Sequence, residues 1–395
     1  MCIRDRYYID GSIRMHSNRR IEAAPDAVIR LMTGVKLLML RNEHTMDGTH
    51  EPIPEEGADE NISIDGGRWE EMHEKRAGYG KSGMYDSERS LYGVSTCLLF
   101  NHIRHLTLTN MVFAHTAGFS VQIGNARSVL FEQIAFDHCY ADGLHINGNC
   151  EDVWVNGAAG EVGDDLVALN MYDWLNSSVT FGPARYVICE NIDSAPSSRY
   201  KSMRIEPGVY TYADGTAVDC ALRDAIIRGV RGIRTFKLYY QTPRYTIGTE
   251  PEKGRVGSAG PVYFEDIEID LDRPIDAFPA YLEGDPVRGA FGAFELGANI
   301  DCISLENIRL KRYPDRFPRS FLVCVGPKSI RRGDQEIFDP YISNHVERMI
   351  FSRVTINGEP LRDAREAVHI TRFDDVNQDG HSTAAGSVGK MIVTD

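Results

Sequence analysis

The stretch that decides the fold is Asp142-Gly143-Leu144-His145-Ile146-Asn147. It recurs 23 residues later as Asp165-Leu166-Val167-Ala168-Leu169-Asn170, and 23 residues earlier Phe119-Ser120-Val121-Gln122-Ile123 keeps the same register. Each copy carries an apolar pair two residues apart, Val121/Ile123, Leu144/Ile146 and Val167/Leu169, as a strand with one buried face requires. A second strip runs beside the first: Leu106/Leu108, Val129/Phe131 and Val153/Val155, at steps of 23 and 24. A third joins Met111/Phe113 to Ile134/Phe136. A period of this length, holding three short strands separated by turns, is too short for a propeller blade and lacks the leucine-rich consensus. It fits one turn of a right-handed, single-stranded parallel β-helix, an all-β solenoid. Asn147 and Asn170 share a register, as in side-chain ladders that satisfy turn backbones from rung to rung.

Working outward, less regular rungs are predicted at 61–67, 262–269, 303–308 and 354–358, so the solenoid is expected to span residues 21–373 as one domain. Polar, Gly-rich or Pro-rich interruptions at 43–61, 242–261 and 274–289 are expected to be loops thrown out from the rungs, where solenoids build binding faces. Residues 374–395 are set apart as a polar tail, loosely ordered up to Gly389. Residues 1–20 are set apart as an uncertain start: Met1-Cys2-Ile3-Arg4-Asp5-Arg6 has no leader pattern and is similar to translated adapter sequence.

Composition narrows the function classes. The 395 residues carry 43 Lys+Arg and 57 Asp+Glu, a net charge of −14, with 42% hydrophobic and 25% charged residues. An acidic chain of this kind is not expected to hold nucleic acid or an anionic membrane, which need clustered cations. No run approaches the roughly 18 apolar residues of a membrane span. Eight Cys lie scattered without a Cys-x-x-Cys pair, which points to buried free thiols rather than zinc or a disulfide framework.

Chemistry concentrates in the repeated rungs. Asp142 and Asp165 share a register, and Asp164 immediately precedes Asp165. Parallel pairing would stack aligned positions ~4.8 Å apart and crowd three carboxylates into one patch. Such a trio raises the pKa of one member, preparing a general acid, while ionised neighbours activate water. An inverting glycosidase needs an acid and a base about 6.5 to 9.5 Å apart, which a staggered trio could supply. The alternative use of the same residues is turn chemistry.

At these residues the chain resembles glycoside hydrolase family 28, the polygalacturonases, within the pectin lyase-like superfamily of parallel β-helices. Asp142-Gly143 resembles the family's Asn-Thr-Asp-Gly rung, with Tyr140-Ala141 in place of Asn-Thr, and Gly163-Asp164-Asp165 resembles its Gly-Asp-Asp rung. The resemblance implies that Asp164 is the general acid and that Asp142 with Asp165 holds the attacking water. It places Lys201, within Tyr200-Lys201-Ser202-Met203-Arg204-Ile205, near the family's histidine. Arg234-Thr235-Phe236-Lys237 becomes an imperfect counterpart of its Arg-Ile-Lys grip on the substrate carboxylate.

His145, Gln122 and Arg204 alternate with inward-facing residues and are expected to point outward, His145 and Arg204 toward substrate. Lys201, Arg204, Arg234 and Lys237 would set positive charge beside the acids. Trp174, with Tyr172 and Asp173, follows the Gly-Asp-Asp rung where a loop could overhang a groove and stack on sugar; Tyr239 and Tyr240 offer the same chemistry. Asp375-Val376-Asn377-Gln378-Asp379-Gly380 matches half of a calcium loop, but Gly386 stands where the bidentate Glu belongs, so no EF-hand is read there.

The expectation is therefore a polysaccharide hydrolase of inverting, metal-independent type, with no cofactor and a polysaccharide as its partner. A polymer substrate implies an extracellular or periplasmic location. Two alternatives stand beside it. One is a uronate lyase using Lys201 or Arg204 as base, usually with calcium. The other is a non-catalytic carbohydrate-binding β-helix.

Overall fold

The computed structural model describes residues 6–35, 37–45, 52, 54–74, 84–85, 90–91, 96–173, 178–239, 256–274, 290–326, 330–332, 335–337, 343–370 and 386–395. Described residues group into two compact units, Met1–Lys201 and Ser202–Asp395. Each is a stack of parallel strands, and among the described residues the one helical element is a 3-10 turn at Ala364–Glu366. Strand after strand returns in parallel to its predecessor, the connectivity of a single-stranded β-helix, right-handed as parallel crossovers are.

In the first unit the registers match those read from the sequence. Leu98 lies beside Val121, Val121 beside Leu144, and Leu144 beside Val167. On the second strip Ile62, Leu106, Val129, Val153 and Val187 form one column, and Ile64, Leu108, Phe131, Val155 and Cys189 the next. Both columns are buried because alternation sends every second residue of these strands into the interior. Filling a column with Leu, Val, Ile and Phe supplies roughly 1.5–3 kcal/mol per fully buried side chain. The third strip stacks Trp69, Phe113 and Phe136, with Phe113 and Phe136 rings 6.0 Å apart.

The rungs turn where the backbone goes left-handed. Asn18, Asn61, His105, Ser128, Asp152 and Tyr186 all have φ between 54° and 60° and fall at one register position, the corner before the second strip. A non-glycine residue in that region costs roughly 1–2 kcal/mol. Side-chain ladders offset part of this cost: Asn61 Nδ2 donates to Asn18 Oδ1 at 2.9 Å, and at the following corner Asn191 Nδ2 donates to Asn156 Oδ1 at 2.8 Å.

The second unit follows the same plan with longer excursions between rungs. Ala225, Val262, Ile303 and Met349 form one column, and Phe236, Phe294, Val323 and Val368 another. Phe236, Phe264 and Phe294 meet with ring centroids 4.9–5.2 Å apart. Two boundary expectations change. Strands already form at Arg6–Ile9, Ile13–Met15 and Arg19–Glu22, and Gly386–Thr394 is a strand parallel to Asn344–Ser352 rather than a loose tail. The polar, Gly-rich residues before Val388 decided the reading of that tail, although Met391-Ile392-Val393 follow them. The described cysteines are free thiols, buried except Cys302.

Candidate functional site

The carboxylate trio forms within the first unit. Asp142 ends the turn before the strand Leu144–Asn147, and Asp165 opens the strand Asp165–Asn170 one rung on. One oxygen from each of Asp142, Asp164 and Asp165 lies within 4.8 Å of the others. Asp142 and Asp165 are buried and Asp164 is half-buried, so Asp164 is the member that meets solvent. Gly163 lets the chain arrive there, since a Cβ on it would stand 2.3 Å from the Tyr140 carbonyl oxygen. Gly143 is held as tightly: its Cβ would come 2.5 Å from the Leu166 carbonyl oxygen.

Asp142 is bound on both oxygens. Oδ1 accepts the Asp165 backbone N–H at 3.2 Å, and Oδ2 meets His145 Nδ1 at 2.7 Å. The first bond clips one acidic rung to the next. The second makes His145 part of a buried polar chain, with Asp173 Oδ2 at 3.5 Å and Asn147 Nδ2 at 3.3 Å from its Nε2. Asn170 Nδ2 donates to the same Asp173 oxygen at 2.9 Å, and Gln122 Nε2 donates to Asn147 Oδ1 at 2.7 Å. The Phe119 ring stacks on His145 with centroids 3.7 Å apart.

The exposure expected for His145 is therefore corrected. Alternation does turn it away from the interior, but it is only 1% exposed. Phe119, Asp173 and the segment whose Val179 N–H donates to Asn147 Oδ1 cover that face. Gln122 is buried for the same reason. Periodicity reports which way a side chain leaves the strand; it cannot report what a later loop lays over it.

The expected cations divide between the units. Lys201 closes the first unit, half-buried with φ 51°, and makes no hydrogen bond or ion pair to the trio. In the second unit Arg204 Nη1 lies 3.4 Å from Glu206, and buried Arg234 donates through Nε to Asp272 at 2.8 Å. Lys237, also buried, stands in register between Arg204 and Glu295. Among these residues Arg204 and Arg234 have carboxylates of their own. Tyr172 stacks on Phe181 at 4.9 Å, and Tyr239 is buried, so both act as packing anchors. Trp174, Tyr240 and the 375–380 motif lie outside the described residues.

Glu71 escaped the sequence reading, and so did the contacts that Phe119 and Asp173 make with His145. Glu71 is buried in the corner that precedes the trio's rungs, its Oε2 accepting the Ala117 N–H at 2.9 Å. Burial pushes its carboxyl up to about 7 despite that hydrogen bond. Its only sequence signal was a charged residue following buried Trp69 and Glu70 at the end of a rung.

No family model matches the chain, and no curated protein matches it. Solved structures similar to it include a hyperthermoactive exopolygalacturonase from Thermotoga maritima, at 10% identity and TM-score 0.48, covering 90% of this chain and 85% of that one. A family 28 exopolygalacturonase from Yersinia enterocolitica is similar at 10% identity and TM-score 0.42, over 98% of this chain and 72% of that one. The catalytic domain of a GH87 α-1,3-glucanase in complex with nigerose is similar at 10% identity and TM-score 0.34, over 92% and 62% respectively.

Proposed function

We propose that the chain is a glycoside hydrolase acting on an acidic or pectin-like polysaccharide. The observation that carries this reading is the trio: three carboxylates gathered within 4.8 Å on consecutive rungs, two buried and one open to solvent. Gathering like charges is costly, and a fold that needed only turn caps would not place two of the three under cover beside each other.

Accessibility assigns Asp164 its role, and the resemblance to family 28 supplies the role of the buried pair. Asp164, the half-buried member, is the general acid that protonates the glycosidic oxygen. Asp165, with Asp142 behind it, holds and activates the attacking water. Asp142 has both oxygens engaged, so it orients Asp165 and His145 more than it reaches substrate. Inversion is the proposed outcome. The nearest oxygens are closer than the ~6.5 Å of a typical inverting pair, so the water would have to sit on the outer oxygens of the pair. The anomeric configuration of the first product, read by proton NMR, tests this step. A polymeric substrate places the enzyme outside the cytoplasm or in the periplasm.

A second reading has one specific observation in its favour: oxygens within 4.8 Å of one another could share a divalent cation, which a uronate lyase would use. The test is to incubate the protein with uronate-bearing and neutral cell-wall polysaccharides, following reducing ends and double-bond absorbance, with and without chelator. Reducing ends alone, unaffected by chelator, support hydrolysis. Chelator-sensitive ultraviolet absorbance overturns it in favour of elimination.

A further inference from the structure

A second site lies in the first unit, at the corner where the strands enter the second strip. A cavity of about 230 Å³ is walled there by Glu55, His102, Arg104, Arg127, Glu151 and Arg185, among others. Arg104, Arg127, Glu151 and Arg185 occupy one register column on successive rungs, so their side chains rise from the same edge roughly 4.8 Å apart. Most of the charge is already matched. Arg127 lies 2.6 Å from Glu55 and 2.8 Å from Glu151, and Arg104 lies 3.2 Å from Glu60. Arg185 is exposed and has no ion pair or hydrogen-bond partner among the described residues.

Two lining side chains also carry buried polar atoms without a hydrogen-bond partner among the described residues, His102 Nδ1 and Arg104 Nε. His102 is only 6% exposed, and its Nε2 lies 2.7 Å from the Pro54 carbonyl oxygen. A carbonyl can only accept, so Nε2 is the donor in that bond. Buried polar atoms of this kind cost stability unless something bonds to them.

The geometry points to a binding site for one carboxylated sugar residue: its carboxylate on Arg185 and its hydroxyls on Glu55 and Glu151. Balanced charge argues for this class over phosphate or a polyanion, because among the described residues the cavity offers one uncommitted cation beside carboxylates that accept hydroxyl protons. The cavity is smaller than the ~300 Å³ at which drug-sized pockets begin, which suits a single residue rather than an oligosaccharide. Choosing a uronate among carboxylated sugars rests on the polysaccharide reading above. The site would anchor the polymer away from the trio.

The test is a ligand-observed NMR titration of the full chain with D-galacturonate, D-galactose and acetate. The expected result is saturable galacturonate binding, with galactose and acetate weaker by at least ~10-fold, the scale of one lost charged hydrogen bond. Arg185→Leu should reduce galacturonate to the level of galactose without lowering the thermal midpoint, while Asp164→Asn should bind as the wild type does. No saturable galacturonate binding, or equal binding by Arg185→Leu, overturns the inference. So does binding lost in Asp164→Asn and kept in Arg185→Leu, which would put the ligand at the trio. If the chain cleaves no polysaccharide yet binds galacturonate through Arg185, the hydrolase reading fails and this site stands.

Discussion

Glu71→Gln should stabilise the protein above neutral pH and leave it unchanged in acid. The Glu71 carboxyl is buried, with the Ala117 N–H on one oxygen and His73 Nε2 no nearer than 4.0 Å. Desolvation raises its pKa from 4.5 to about 7. A rise of about 2.5 units at 1.36 kcal/mol per unit corresponds to about 3 kcal/mol. The folded state holds this proton longer than the unfolded state, so stability falls as pH rises from about 4.5 to about 7 and is level beyond. Glutamine keeps an oxygen for the Ala117 N–H and carries no charge to desolvate, so it should lack this dependence. Urea unfolding of both proteins, followed by circular dichroism at pH 4.5, 6 and 8, should show near-equal stability in acid and an advantage for Glu71→Gln approaching 3 kcal/mol at pH 8. A gap that does not change with pH, or a variant weaker than the wild type at pH 8, would refute the reasoning.

Other substitutions separate packing from chemistry. Gly143→Ala drives a Cβ to 2.5 Å from the Leu166 carbonyl oxygen and should cost at least ~1–3 kcal/mol, read as a lower urea midpoint. Phe131→Ala opens the interior of the second strip, where Phe131 is 1% exposed, and should cost ~3–5 kcal/mol in the same assay. Asp142→Ala strands His145 and the Asp165 N–H, so it should lower stability by ~1–3 kcal/mol, read as a lower urea midpoint. An unchanged midpoint would contradict the role of Asp142 as the residue that fastens His145 and the next rung.

The fold was legible because a solenoid repeats its evidence. Val121, Leu144 and Val167 each say little alone, but one step of 23 residues aligns them and simultaneously aligns Phe113 with Phe136. The trio was legible for the same reason, since register alone brings Asp142 beside Asp165. What register could not supply was the layer over the strands. His145 leaves its strand on the outward side as alternation requires, yet Phe119 and Asp173 enclose it, and both reach it from other rungs or loops. The carboxylates that pair with Arg204 and Arg234, Glu206 and Asp272, carry no periodic signal and were not read from the sequence. The strand at Gly386–Thr394 was hidden because the tail was read from the polar, Gly-rich residues that precede Met391-Ile392-Val393.

The most direct test of the central claim is turnover by the wild type and by Asp164→Asn, side by side, on whichever polysaccharide the wild type cleaves, with binding to that polymer measured separately. The account predicts that Asp164→Asn binds as the wild type does and loses at least ~100-fold in turnover, the scale of general acid catalysis. A variant that binds equally and cleaves at the wild-type rate would contradict it, and would leave the three aspartates as fastenings between rungs.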